Sequence, residues 1–156
     1  MLMDTSSLIG FLVEIDGADL LRQLTSLGHE LLVCPSVDAE LRRPATRAKA
    51  RAVKELVSCA AADPDALGRL KARYPGLGSG EVEVIALGIR YKASQIEYLC
   101  VLDDKSAREA AQELELMLIG AVGLIEILLK AGRIDAPTAE RLVLALVTGG
   151  FRYRGH

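Results

Sequence analysis

Aromatic side chains make up only 4% of the chain and tryptophan is absent, so a core within the 51% apolar fraction must rest on Leu, Val, Ile and Ala. Cysteine is equally sparse. Cys34, Cys59 and Cys100 are odd in number and lack C-x-x-C spacing, which argues against a disulfide framework and a zinc site. Cys34 and Cys100 fall in strand-like segments and read as buried thiols. Of two histidines, His29 precedes an apolar segment and reads as structural, and His156 is the last residue, so neither offers a credible catalytic base. No apolar run approaches the roughly 18 residues of a membrane span. Acidic Asp4 stands where a secretory signal would be basic. The expectation is a cytoplasmic protein with no membrane partner. A Walker A loop, a dinucleotide fingerprint after a strand and a G-x-S-x-G elbow are all missing. Excess positive charge is missing too: the net charge is −2, not the basic field of a general nucleic-acid binder.

What is present fits one domain over residues 1–156, without repeats, low-complexity tracts or a linker. Apolar Met1 to Met3 reads as a short strand, Leu8 to Val13 as helix, and Ala18 to Leu27 as a helix stopped by Gly28. Leu31 to Cys34 is a strand closed by Pro35. A helix over Ser36 to Arg43 is interrupted or kinked by Pro44 and resumes to about Ala60. Asp63-Pro64 opens another helix, which ends before Pro75-Gly76. The Gly78-Ser79-Gly80 turn leads into a helix with Val82, Ile85, Ala86 and Ile89 on one side. Tyr98 to Leu102 and Leu116 to Ile119 are strands flanking a helix from about Lys105 to Leu114. Helices over Gly120 to Ala131 and Ala136 to Val147 follow, with a last edge strand at Phe151 to Tyr153. Short strands alternating with longer helices predict an α/β fold, a three-layer α/β/α sandwich with a mostly parallel sheet.

Ligands of such sheets bind beyond the carboxyl ends of the strands. Asp4 follows the first strand, and Asp103 and Asp104 follow Cys100-Val101-Leu102. Each acid also has a structural explanation. Asp4 and Asp104 suit helix N-caps, Glu81 suits the first turn of its helix, and Glu40 suits a pair with a neighbouring arginine. Carboxylates gathered at one sheet edge would repel and raise one another's pKa, and a divalent cation relieves that repulsion. Mg²⁺ and Mn²⁺ accept oxygen ligands and suit phosphodiester hydrolysis. A local positive surface is also available. No acid interrupts Leu41 to Lys54, which carries Arg42, Arg43, Arg47, Lys49, Arg51 and Lys54, and Arg69, Lys71 and Arg73 follow. These read as solvated helix faces, or as phosphate contacts if an acidic catalytic site lies nearby.

Taken in order, MDTSSLIGFL, VCPSVDAELR, GLGSGEVEVIALG and CVLDDKSAREAAQEL resemble the four motifs of the PIN-domain family, which includes the toxin ribonucleases of VapBC-type toxin–antitoxin pairs. IGAVGLIEILLKAGRI and GGFRYR resemble the tail of a subgroup with G-x-G-E and double-Asp motifs, so the likeness spans nearly the whole chain. The resemblance implies a Mg²⁺- or Mn²⁺-dependent endoribonuclease acting on RNA. Asp4, Glu40, Glu81 and Asp103 would be its catalytic and metal-binding set, with Asp104 contributing or substituting. Ser6 would hold a metal ligand or water. Arg108 would orient the aspartate pair or contact phosphate, an ordinary salt bridge being an equal alternative. Only three residues precede Asp4, and Glu83 competes with Glu81. Two helical positions turn a side chain by about 200°, so one of the two faces the cluster, and Glu81 is chosen. The basic run from Arg42 to Lys54 would form a rim drawing RNA to the negative site. A homodimer and an antitoxin partner are further expectations of the resemblance.

Rival readings are a catalytically weak PIN-fold binding or scaffold module, a phosphoacceptor domain, and a phosphatase of the haloacid dehalogenase kind. The order of acids disfavours the phosphoacceptor, and Ser6 stands where the phosphatase needs a second Asp.

Overall fold

Strand, then helix, is the repeating unit of the computed structural model, which describes residues 1–149. β1 (Leu2–Met3) leads into α1 (Thr5–Ile9), which runs on as a turn of π-helix over Gly10–Glu14 before α2 (Ala18–Ser26). β2 (Leu31–Val33) is followed by α3 (Pro35–Leu41), α4 (Pro44–Arg51) and β3 (Val57–Cys59). α5 (Pro64–Arg73) and α6 (Ser79–Ala93) precede β4 (Cys100–Val101), α7 (Lys105–Glu113), β5 (Leu118–Ile119), α8 (Ala121–Lys130) and α9 (Ala136–Gly149).

Proline sets several of these boundaries. Pro35, Pro44 and Pro64 each open a helix, where a missing N–H leaves no hydrogen bond unmade. Pro35 therefore begins α3 as well as closing β2. The expected resumption of helix to Ala60 is incorrect: α4 stops at Arg51, and Val57–Cys59 pairs with Leu31–Val33 as a parallel edge strand. Its residues are half-buried to exposed, so they carry no apolar signature against the alanine-rich helical pattern before them. In α6 the expected apolar side broadens until Val82 to Gly88 are all buried, while Ile89 turns outward. The strand expected at Phe151 to Tyr153 lies outside the described residues.

The strand order is β3-β2-β1-β4-β5, and every pairing among the described residues is parallel. The chain starts mid-sheet, builds outward to β3, then crosses back to lay β4 on the other side of β1. The carboxyl ends of β1 and β4 thus flank the switch point at which open α/β sheets bind ligands. The right-handed crossovers that parallel strands favour put α5, α6 and α7 on one face and the remaining helices on the other, although α3 also touches α6. Accordingly α6 packs on β1 and β4 and against α5 and α7, while α2 meets α8 and α9 meets the π-helical turn. The result is the three-layer α/β/α sandwich.

One continuous core runs through both interfaces, with Met3, Leu8, Phe11, Ile85, Val101 and Leu124 fully enclosed. At Gly88 α6 presses close to the sheet: a Cβ there would lie 2.8 Å from Cys100 Sγ. The apolar positions Leu21 and Leu24 of α2 and Leu124 and Leu128 of α8 are buried within the molecule. Cys34 and Cys100 are buried free thiols, each pushed up to about 12, chiefly by burial. Cys59, on the edge strand, is exposed. Among the described residues no helix is long and apolar enough to cross a membrane.

Candidate active site

Asp4 is delivered to the switch point by backbone pairing. Its N–H donates to Val101 O at 3.3 Å, continuing the β1–β4 ladder one residue past the strand. It is also the N-cap of α1: Oδ1 accepts from the Ser7 N–H at 2.9 Å and Oδ2 from the Ser6 hydroxyl at 2.9 Å. The carboxylate is only 1% exposed. Burial pushes its pKa up to about 6 against the opposing pull of the Ser7 and Ser6 hydrogen bonds, and the charge of Asp103 adds to the rise. The Ser7 hydroxyl, donating to Val101 O at 3.3 Å, ties the start of α1 to β4.

Asp103 and Asp104 follow the end of β4 and are both exposed. Asp104 caps α7, accepting from the Ala107 N–H at 3.1 Å. Asp103 faces the start of α8, where the Ala121 N–H donates to Oδ1 at 3.0 Å and Oδ2 at 3.2 Å. Gly120 allows that approach, since a Cβ on it would meet Asp103 Oδ1 at 2.5 Å and Arg108 Nη1 at 3.3 Å. Arg108 donates to Leu102 O at 2.8 Å and forms no ion pair among the described residues, so it braces the Leu102-Asp103 corner from beside the carboxylate.

Glu81 stands in the first turn of α6 and accepts the N–H of the cap residue Gly78 at 2.8 Å through Oε2. Its pKa is raised by burial first, partly offset by that hydrogen bond, and further by the charges of Asp104 and Glu40. Glu40, near the end of α3, makes no ion pair among the described residues, and Arg42 pairs with Asp38 at 2.7 Å instead. Glu83 points elsewhere. It is buried and accepts the Ser36 N–H at 3.1 Å and the Ser36 hydroxyl at 3.0 Å, gripping the first turn of α3.

Asp4, Asp103 and Asp104 follow the ends of the neighbouring strands β1 and β4, and Glu81 and Glu40 stand on α6 and α3. Asp4 feels the charge of Asp103, and Glu81 feels the charges of Asp104 and Glu40. They do not close on a common point: among the described residues no three His, Cys, Asp or Glu side chains stand close enough to hold an ion. Four of the five acids are turned to backbone N–H groups, so these hydrogen bonds and the coupling of charges coexist.

Other contributors were invisible in the sequence. The Thr5 Oγ1 atom is buried without a hydrogen-bond partner, and it lies 3.5 Å from where a Cβ on Gly80 would sit, between the end of β1 and the helix that carries Glu81. The Ser36–Glu83 pair and the Ala121 N–H depend on contacts across long stretches of chain. Only the hydroxyl run Thr5-Ser6-Ser7 after Asp4 hinted at such a lattice.

A doubly wound parallel α/β domain of this kind is a three-layer sandwich, a class whose ligands generally bind at the switch point. A family model described as a PIN domain matches residues 1–155, and the chain belongs to the PIN-domain family. No curated protein and no solved structure matches it. PIN domains are generally nucleases, so membership gives this chain a nuclease type of function, of the hydrolase kind, on nucleic acid.

Proposed function

We propose that the chain is a single-domain endoribonuclease over residues 1–156, hydrolysing RNA phosphodiester bonds with Mg²⁺ or Mn²⁺ held by Asp4, Glu40, Glu81, Asp103 and Asp104. The observation that carries this reading is the buried Asp4 at the switch point, its pKa raised to about 6 chiefly by burial and further by the charge of Asp103. The donor chemistry fits. Every candidate ligand is a carboxylate oxygen, the preference of hard divalent cations. The orphaned Thr5 hydroxyl supplies a further polar atom with capacity to spare.

When bound, the cation supplies charge neutralisation and Lewis acidity at the phosphate. The protein's own residues set the frame. Ser6 and the Ser7 N–H fix both oxygens of Asp4. The Ala121 N–H fixes Asp103. Glu81 is anchored through Oε2, and Arg108 supports the corner that presents Asp103. A VapBC-type toxin acting in the cytoplasm, with an antitoxin partner, is the biological setting this reading favours. A homodimer is its expected form, supported by the apolar groove of about 500 Å³ between α8 and α9, where Leu144 and Val147 are exposed.

Cleavage of single-stranded RNA under a Mn²⁺ titration tests the activity. The expected result is turnover that follows cation concentration and stops in excess EDTA. Undiminished cleavage in EDTA would overturn it. The alternative, a catalytically weak binding or scaffold module, draws on the acids not closing on one point and predicts metal-insensitive RNA binding without turnover.

A further inference from the structure

We propose that the groove between α3, α4 and β3 is a second RNA-backbone site, separate from the acid cluster, which makes cleavage depend on substrate length. The inference rests on the RNA reading above.

The groove has a volume of about 360 Å³, with Arg42, Arg47, Arg51 and Lys54 on its walls and Leu41 and Val53 buried in its floor. Arg42 is neutralised by Asp38. Arg47, Arg51 and Lys54 have no ion pair and no side-chain hydrogen bond among the described residues. Arg47 and Arg51 stand four positions apart on α4, where like charges are neighbours and repel. A shallower hollow on the outer side of α4 shares the same two arginines. In a chain of net charge −2, unpaired cations concentrated around one hollow call for an anionic occupant.

Phosphodiester groups fit that occupant best. Guanidinium forks match phosphate oxygens in pairs, which a point-charge ammonium does not. Among the described residues the groove contains no aromatic side chain, so they offer no stacking platform for bases. Contact with the backbone alone is sequence-independent positioning.

The groove is not the rim expected around the acids. Glu40 lies two positions from both Asp38 and Arg42, so helical phase turns it about 160° from each. Asp38 and Arg42 line the groove and Glu40 does not. A strand engaged at both places must cross the width of α3, about 10–12 Å with side chains. A dinucleotide cannot occupy both, whereas a longer strand can.

Fluorescence anisotropy with a labelled single-stranded RNA, in EDTA across a salt series, tests the groove independently of turnover. Wild type should bind, with log K falling as log salt rises. The Arg47→Gln/Arg51→Gln double variant should bind on the order of tenfold more weakly and lose about one to two units of salt slope. Lys54→Gln should show a smaller loss in the same direction. The replaced side chains are exposed, so circular dichroism should show an unchanged fold. Where cleavage is detected, the kcat/KM advantage of a long strand over a dinucleotide should shrink in the double variant. Equal affinity and slope in wild type and double variant would overturn the proposal. So would tighter binding of polyglutamate than RNA through these arginines, which would assign the groove to an acidic protein. Metal-dependent cleavage without this groove binding would sink the second site alone, and groove binding without cleavage would sink only the nuclease reading.

Discussion

Asp4 is at once a helix cap and a buried acid, and the two roles pull its ionisation in opposite directions. The Ser6 and Ser7 donors favour the carboxylate, burial favours the acid, and burial wins, leaving the pKa at about 6 against an ordinary 3.8. The protonated form is thus the one the metal-free fold prefers. Its contribution is fully present below pH 3.8 and is lost as pH rises through about 6. At about 1.4 kcal/mol per unit, the swing is of order 3 kcal/mol. Thermal melts of the chelated protein from pH 4 to 8 should show this loss, and Asp4→Asn should flatten it. A wild-type melting profile that rises monotonically across pH 4 to 7 would contradict it. A second residue-scale prediction concerns Gly120. Its added Cβ would meet the far end of the Asp103 side chain at 2.5 Å, and a carboxylate can rotate away cheaply. Gly120→Ala should therefore change the melting temperature little while displacing Asp103 from the Ala121 N–H and lowering cleavage about tenfold or more. Stability and activity falling in proportion would argue against that separation.

At the scale of elements, α3 is held by a side chain from α6. Glu83 accepts the backbone N–H of Ser36, one of the groups a helix start leaves unpaired, and the Ser36 hydroxyl as well. Glu83→Ala would remove the acceptor of both donors in a part-buried setting, at a cost of about 1–2 kcal/mol. Glu83→Gln, which keeps one acceptor oxygen, should recover part of that loss in chemical denaturation, and indistinguishable Ala and Gln variants would remove the assigned role. Helices that bear strong periodicity or a proline at their first position were legible in the sequence, as α2 and α5 illustrate. β3 was not, because an edge strand with one half-buried and two exposed residues shows no apolar run. Glu81 and Glu83 could be separated by helical phase alone, and they do point apart. The partner of Glu83 could not be named, because Ser36 is 47 residues away.

For the whole molecule, the sheet order converts sequence distance into proximity. Crossing back from β3 to β4 sets Asp103 beside Asp4, and the long helix α6 carries Glu81 within reach of the charges of Asp104 and Glu40. That Asp4 and Asp103 would follow the ends of two strands was readable from the apolar segments before them. How each acid is oriented was not, since the orientations come from backbone donors such as Ala121 N–H that belong to other units of the chain. The basic run from Arg42 to Lys54 illustrates the same limit: its charge and the break at Pro44 were plain, but the unforeseen β3 is what closes it around a groove of its own.

Calorimetric titration of Mn²⁺ into chelator-stripped protein addresses the acid cluster most directly, because it needs neither substrate nor turnover. Wild type should bind one or two ions per chain, and Asp4→Asn should lose binding by on the order of tenfold or more. Absence of binding in wild type, or equal binding by Asp4→Asn, would contradict a shared cation site at the β1–β4 switch point.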